Sequence, residues 1–399
     1  LISDSYKEYI SLSRYAKWKP EVSRRENWEE TVARYINFFS QRTSGQMDNV
    51  LWNDLFPAIV DKEVMPSMRA LMTAGDALER DNVAGYNCAY THVTGRGKEL
   101  TVWSDEFKEY GIDEPIKINL HHPIVFDEIM YVLLCGTGVG FSVERQWIAN
   151  LPTVGKSLSR AVYQRTGANF KGVAKNELST FSRKTNTIYV ADSKYGWASA
   201  LRILIVELYN GNLQVQWNVS KVRAAGTPLK TFGGRASGPT PLVELFAFVV
   251  NIFKGAEGRK LTSIECHDLI CKIAAVVVVG GVRRSACISL SNLTDERMRS
   301  AKTGNWWETE DQRALSNNSV CYTEKPDISI FMREWSSLYE SKSGERGIFS
   351  RAACNKIAQR TGRRGKLKIN DIEYSAGDTV TTQRGDILVS ALEVGDEIL

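Results

Sequence analysis

The chain contains no Cys-x-x-Cys pair and no close set of cysteines with histidine, so a structural zinc site has no ligands to draw on. Its seven cysteines (88, 135, 266, 271, 287, 321 and 354) are scattered and odd in number. The nearest approach is Cys266-His267 with Cys271, where the two thiols are five residues apart, the wrong spacing for one helical face. Reduced thiols in a cytoplasmic protein are the expectation, with no metal site. Long apolar runs are also missing. The longest, around Ile273 to Val279, is far short of a membrane span, so no membrane partner is expected. The opening residues, L-I-S-D-S-Y-K-E-Y, lack signal-peptide organisation. Blocks of like charge are absent: the net charge of +5 arises from 51 basic and 46 acidic residues that are interspersed. This mild excess predicts attraction for small phosphate ligands and no nucleic-acid partner. A complete dinucleotide fingerprint is missing as well. G-T-G-V-G at 136–140 follows a helical pattern instead of preceding one, which disfavours a Rossmann site.

What is present is an ordinary globular composition, 43% hydrophobic and 24% charged. Trp28, Val32, Tyr35, Ile36 and Phe39 repeat at helical spacing and open an N-terminal helical region running to about Val60. A Pro66-Ser67 turn leads into M-R-A-L-M-T-A-G. Pro123 suits the first turn of a helix carrying Phe126, Ile129, Met130 and Leu133, which runs into the glycine-rich turn and a strand to Val143. Residues 150–186 are polar, basic and aperiodic and predict surface structure or an insertion. Asp192-Ser193 caps a helix with the stripe Trp197, Leu201, Leu204, Ile205 and Leu208, and Asn210-Gly211 ends it. L-Q-V-Q-W at 213–217 alternates as a strand. Further helices are predicted from about Pro241 to Phe253 and through Leu269 to Val278. Strands follow at A-C-I-S-L-S, 317–322 and 347–350. Strands alternating with helices predict an α/β sheet or barrel. Beyond Gly365, K-L-K-I, I-E-Y-S, T-V-T-T and I-L-V-S-A-L are separated by tight-turn residues, predicting a small all-β appendage.

The stretch from Asn218 to Pro239 packs four glycines, two prolines and four Lys/Arg residues into a span without periodicity. Composition leaves two readings open: a solvated connector, or a loop whose glycines admit a ligand to the main chain and whose cations suit phosphate.

Taken together, Asn87-Cys88, G-T-G-V-G, D-S-K-Y-G-W, R-A-A-G-T-P-L-K-T-F-G-G-R-A-S-G-P, V-V-G-G-V-R-R-S-A and G-E-R-G-I-F-S follow the order found in ribonucleotide reductases. Over roughly residues 10–364 the chain resembles the adenosylcobalamin-dependent class, in particular its single-chain branch. The resemblance implies a helical region at 1–65, then the first part of a ten-stranded α/β barrel at 66–364, with the appendage at 365–399. It implies reduction of ribonucleotides, triphosphates by preference, through a cysteine thiyl radical generated by adenosylcobalamin. Cys88 matches the thiol that reduces the 2′ position and then joins a disulfide, which calls for a buried thiol close to the ribose. A small buried core cysteine is the plainer alternative. Asn87 and Gly138 match positions against the ribose, and Ser67 lies where the family binds substrate phosphate, although serine after proline is also a routine turn residue. Asp192, Ser193, Lys194 and Trp197 match the helix that holds an allosteric deoxynucleotide; Asp-Ser as a plain N-cap is the alternative. The inserted segment that shelters this site in single-chain members matches residues around 91–119 or 150–186. The glycine-rich stretch becomes a specificity loop, with Ser220, Lys221 and Arg223 sensing base or phosphates.

One family feature is missing. No N-P-C-x-E radical loop occurs in the chain, and neither does a second reducing cysteine. The reading that follows is the N-terminal subunit of a split enzyme. A second polypeptide supplies the radical loop, and a dithiol reductant such as thioredoxin restores the thiols. An intein-interrupted half, a truncated fragment and a non-catalytic nucleotide-binding regulator are the alternatives.

Overall fold

The computed structural model describes residues 4–43, 49–95, 99–102, 116–119, 125–155, 173–227, 236–279, 287–361, 379–382 and 385–388. Helix α1 (Trp28–Arg42) starts where the Asn27 side chain accepts the Glu30 amide and the Glu30 carboxylate accepts the Asn27 amide, a reciprocal cap. Val32 and Phe38 are buried, and Tyr35 and Phe39 pack half-buried over Ala74 and Leu78. The buried face therefore includes Phe38, one position away from the expected stripe. Trp28 Nε1 donates to the Val60 carbonyl at 2.9 Å and ties α1 to the neighbouring helix Asn49–Val60.

The centre of the molecule is a five-stranded sheet: β1 (Cys88–His92), β2 (Gly138–Ser142), β3 (Cys287–Ser291), β4 (Ser316–Tyr322) and β5 (Gly347–Ser350). All four pairings are parallel, and each strand lies beside its predecessor in the chain. This is the α/β architecture the sequence predicts, and the five strands form an open sheet with edges at β1 and β5. Helix α2 (Val125–Leu134) precedes β2, as its Phe126, Ile129, Met130 and Leu133 spacing requires, and all four are buried. Between β2 and β3 come a three-stranded sheet (Thr180–Ser182, Thr187–Tyr189, Gln216–Asn218) and helices α3 (Lys194–Tyr209), α4 (Thr240–Gly255) and α5 (Ser263–Val279). The strand expected at 213–217 is shifted to Gln216–Asn218, because Leu213 and Gln214 complete the turn out of α3. Helices α6 (Ile328–Ser341) and α7 (Arg351–Thr361) flank β5.

Residues in register share a sheet face. Thr91, Phe141, Ser289 and Asn318 lie in one row, and the last three are buried. Phe141 belongs to the main core with α2, α3, α4 and α5. The adjacent row, Tyr90, Gly140, Ile288 and Asn317, points the other way, and its Ile288 is 45% exposed. Among the described residues one face of the sheet is thus packed, while the other is open toward the strand starts and buried at its far end, where Ser142, Leu290 and Cys321 lie.

In the C-terminal segment, Thr379–Thr382 and Gly385–Leu388 form an antiparallel hairpin. The expected strands at 366–369 and 372–375 lie outside the described residues.

Candidate functional site

The open face begins at Cys88, the first residue of β1, directly opposite Gly138 in register. The Gly138 amide donates to the Asn87 carbonyl at 2.9 Å, so the three residues singled out in the sequence meet at the start of the sheet. Thr137 fixes the same corner: its hydroxyl lies 3.1 Å from the Val83 carbonyl and 2.9 Å from that of Tyr86. Cys88 is a free, exposed thiol. This corrects the expected buried thiol, and the physical reason is position. Cys88 stands at the strand-start end of its face, where the described neighbours Asn87 and Tyr86 are also exposed, whereas Ser142, Leu290 and Cys321 at the other end of the same face are buried.

Ser67 is not drawn into a phosphate-binding cap. It precedes the six-residue helix Met68–Thr73, is exposed, and makes no capping hydrogen bond. The helix is held instead by buried Arg69, which donates to the Gly136 carbonyl of the glycine-rich turn.

A second cluster surrounds the start of α3. The Ser193 hydroxyl accepts the Gly196 amide at 2.8 Å and donates to the Glu177 carbonyl at 2.6 Å, so the plain N-cap reading holds. Gly196 is required sterically. A Cβ there would sit 2.3 Å from the Ala191 carbonyl oxygen, and the Ser179 hydroxyl bridges the same approach by donating to Gly196 O and accepting from Ala191 N. The Asp192 carboxylate faces away from this packing and accepts Arg223 Nε at 2.8 Å, both side chains remaining about one-third exposed. Asp192 and Arg223, predicted from separate stretches, are therefore neighbours at the positive end of a sixteen-residue helix. Ser220 and Lys221 are exposed in the adjoining turn, where the Ser220 amide donates to Asn218 Oδ1 at 2.9 Å. Trp197 is packed against the main core, so its ring serves packing first.

Lys194 departs from expectation. Its ammonium is bonded to Asp81 Oδ2 at 2.7 Å, lies 3.4 Å from the Cys135 sulfur, and sits 5.0 Å from the centroids of both Tyr131 and Tyr195. Burial works against the charge, the bonded Asp81 carboxylate favours it, and the ammonium's pKa lies above its ordinary value. Burial pushes the Cys135 thiol up to about 12, so it is an un-ionised neighbour at neutral pH. Asp81, Tyr131, Cys135 and Tyr195 were not anticipated. The Asp81-Asn82 pair reads as a turn starter, but its partner 113 positions away leaves no local signal.

The glycine-rich stretch is pinched at its base. Gly226 N donates to Ala236 O and Ala236 N to Thr227 O, each at 2.8 Å. Gly238 has φ +74°, and a Cβ would lie 2.9 Å from Ala225 N, so only glycine closes this stem. Residues 228–235, most of the T-P-L-K-T-F-G-G-R core, lie outside the described residues, as do 280–286. His267 and Cys271, on one turn of α5, approach to 3.5 Å and are fully buried. The helical face is therefore shared by the histidine and Cys271, not by the two thiols.

Comparison with known proteins adds three findings. A family model described as "B12-dependent ribonucleotide reductase, insertion domain" matches residues 159–253. That span includes part of the polar segment expected to be the insertion but continues through α3, the glycine-rich stretch and most of α4. The adenosylcobalamin-dependent ribonucleoside-triphosphate reductase of Lacticaseibacillus paracasei is 28% identical, the match covering 90% of this chain and 50% of that protein. The enzyme of the same name from Lactobacillus leichmannii is 29% identical, covering 77% of this chain and 43% of that protein. A crystal structure of a B12-dependent (class II) ribonucleotide reductase superposes with a TM-score of 0.61 at 24% identity, covering 86% of this chain and 48% of that one. The chain spans about half the length of the curated relatives it matches.

Proposed function

We infer function from kinship: the chain is a relative of the B12-dependent ribonucleotide reductases, and we propose that it forms the thiol-bearing and effector-bearing half of such an enzyme. The observation that carries this reading is the open sheet face. Parallel sheets are normally covered on both sides, yet among the described residues the strand-start part of one side is left exposed and carries Cys88 at its corner, in register with Gly138. A glycine opposite the thiol puts no side chain beside it, which leaves room for a ribose against the main chain. We assign the helical region to 1–65, the sheet and its insertion to 66–364, and the appendage to 365–399.

In this reading the substrate is a ribonucleoside triphosphate, the substrate class named for the curated relatives. Asn87 and Gly138 position the ribose, and Ser67 lies toward the phosphates. Cys88 supplies one of two thiols. The C2′–OH bond is replaced by C2′–H, the hydroxyl leaves as water, and the two thiols become a disulfide, so atoms and electrons balance. The second thiol and the N-P-C-x-E radical loop come from a further polypeptide that covers the open face. A dithiol protein such as thioredoxin then reduces the disulfide. Adenosylcobalamin, when bound, supplies the initiating radical by homolysis of its cobalt–carbon bond. The radical belongs to the cysteine of the N-P-C-x-E loop, and exposed Cys88 stands where a polypeptide bearing that loop would close over it as the reducing thiol. Asp192, Ser193, Arg223, Ser220 and Lys221 form the effector end, where a helix N-terminus and two cations suit a deoxynucleoside triphosphate.

The test mixes this chain, a polypeptide carrying the N-P-C-x-E loop, adenosylcobalamin, a dithiol reductant and ribonucleoside triphosphates. Deoxynucleotide should form only in the complete mixture, and Cys88→Ser should abolish multiple turnover. Nucleotide binding at α3 without turnover in any complete mixture would instead favour a regulatory nucleotide-binding protein.

A further inference from the structure

Asp81 stands at the junction of three segments. Its Oδ1 accepts the Val83 amide at 3.0 Å and caps the single turn Asn82–Gly85. Its Oδ2 accepts Lys194 Nζ at 2.7 Å and faces the Cys135 thiol at 3.6 Å. The capped turn leads through Tyr86 and Asn87 to Cys88, and the carbonyls of Val83, Tyr86 and Asn87 are the ones held by Thr137 and Gly138. Lys194 is the first residue of α3, immediately after Asp192 and Ser193. One ion pair thus links the proposed effector end of α3 to the turn that delivers Cys88. Its setting favours a strong interaction: Asp81 is 11% exposed, and the Lys194 ammonium lies against the stacked rings of Tyr131 and Tyr195.

We propose that Asp81 and Lys194 are a positioning pair that couples the α3 N-terminus to Cys88, with ligand phosphate at α3 competing with Asp81 for the Lys194 ammonium. The proposal rests on the effector and thiol roles given above and adds the device that connects them. The Lys194 ammonium is bonded to the Asp81 carboxylate and belongs to the first residue of a helix whose positive N-terminus attracts anions. A phosphate held there is a second anion to which it can turn. When phosphate takes the ammonium, Asp81 keeps only its hydrogen bond to Val83 and its contact with Cys135, and the turn before Cys88 loosens. The differential contact needed for coupling between two sites is therefore a specific bond made in one state and lost in the other.

Cys88 itself reports on the pair. In a Cys354→Ser background it is the only exposed cysteine of the seven, so its alkylation by iodoacetamide can be followed directly. Asp81→Asn and Lys194→Gln should each raise the alkylation rate by about threefold, and the double variant should be no faster than either single, the signature of one shared interaction. Lys194→Arg, which keeps the charge, should react like the parent; a purely structural role would not produce this pattern of rescue and non-additivity. Saturating dATP or dTTP, with binding verified by equilibrium dialysis, should raise the parent rate toward that of Lys194→Gln and leave Lys194→Gln unchanged. Single variants that react at the parent rate, effects that multiply, or bound nucleotide that leaves the parent rate unmoved would each overturn the proposal. Failure of both nucleotides to bind would remove the effector reading and the competition with it, while the mutant cycle would still decide whether the pair positions Cys88.

Discussion

Single side chains in this protein are mostly governed by what burial does to their charge. His267 is the sharpest case. Fully buried on α5 against Cys271, its imidazole is pushed down to about 3 by burial and by the nearby Arg313 and Lys302 charges. The folded protein therefore keeps His267 neutral at pH values where the unfolded chain, with an ordinary pKa of about 6.5, takes up a proton. The sign follows directly: at pH 7 and above neither state is protonated, and below about 6.5 the unfolded state gains. Stability should fall by about 1.4 kcal/mol for each pH unit between about 6.5 and 3, or roughly 2 kcal/mol from pH 7 to pH 5. Urea midpoints of the parent and His267→Asn at pH 7 and pH 5 check this. The variant, lacking the titrating group, should lose about 2 kcal/mol less over the interval; equal losses would remove His267 as the cause. Buried ion pairs follow a different logic. Arg351, closing the end of the sheet, donates to the buried Glu144 carboxylate at 2.6 Å, and the Ser142 hydroxyl bonds the same oxygen at 2.7 Å. Such a pair registers the strand ends more than it adds net stability.

At the scale of elements, α3 shows what a sequence discloses and what it withholds. Its cap, its apolar stripe and its Asn210-Gly211 stop follow from local chemistry, and the helix occupies Lys194–Tyr209 as that chemistry requires. The role of Gly196 was invisible locally, because the constraint is the carbonyl of Ala191 behind it rather than any special φ. Gly196→Ala should destabilise the fold by about 1–3 kcal/mol, the usual cost of forcing an atom into packed main chain, despite alanine's better helix propensity. A denaturation midpoint equal to or above that of the parent would show that α3 moves away freely. The strands of the sheet were likewise legible from turn residues and short apolar runs. Which face would stay open was not, since β3 and β4 alternate serine and asparagine with apolar residues on both sides. The candidate site divides the same way. Asn87, Cys88 and Gly138 were legible as separate motifs, and Asp192 and Arg223 as separate charges. Their meeting, and the diversion of Lys194 to Asp81, depend on pairings 31 to 113 residues apart.

At the scale of the whole molecule, the central five-stranded parallel sheet is packed on one side, and among the described residues the strand-start part of its other side is exposed, which has a measurable consequence. Exposed Cys88 and Ile288 lie on that face, and the interior-type strands beneath them carry main chain that parallel sheets ordinarily bury. If a polypeptide bearing the radical loop completes the enzyme, it must cover this face. Cys88 should then be shielded in step with assembly. Adding that polypeptide to the Cys354→Ser chain should slow iodoacetamide alkylation of Cys88 by at least about tenfold, as expected when a thiol passes from an open surface into a packed interface. Ile288→Lys, placed on the same face without touching the packed core, should weaken the shielding, because an unpaired charge resists burial in the interface. The two measurements separate this surface from the rest of the molecule. Shielding that survives Ile288→Lys unchanged would put the partner elsewhere. Shielding lost with Ile288→Lys, together with loss of deoxynucleotide formation in the complete mixture, would tie the open face, the partner and the thiol to one active site.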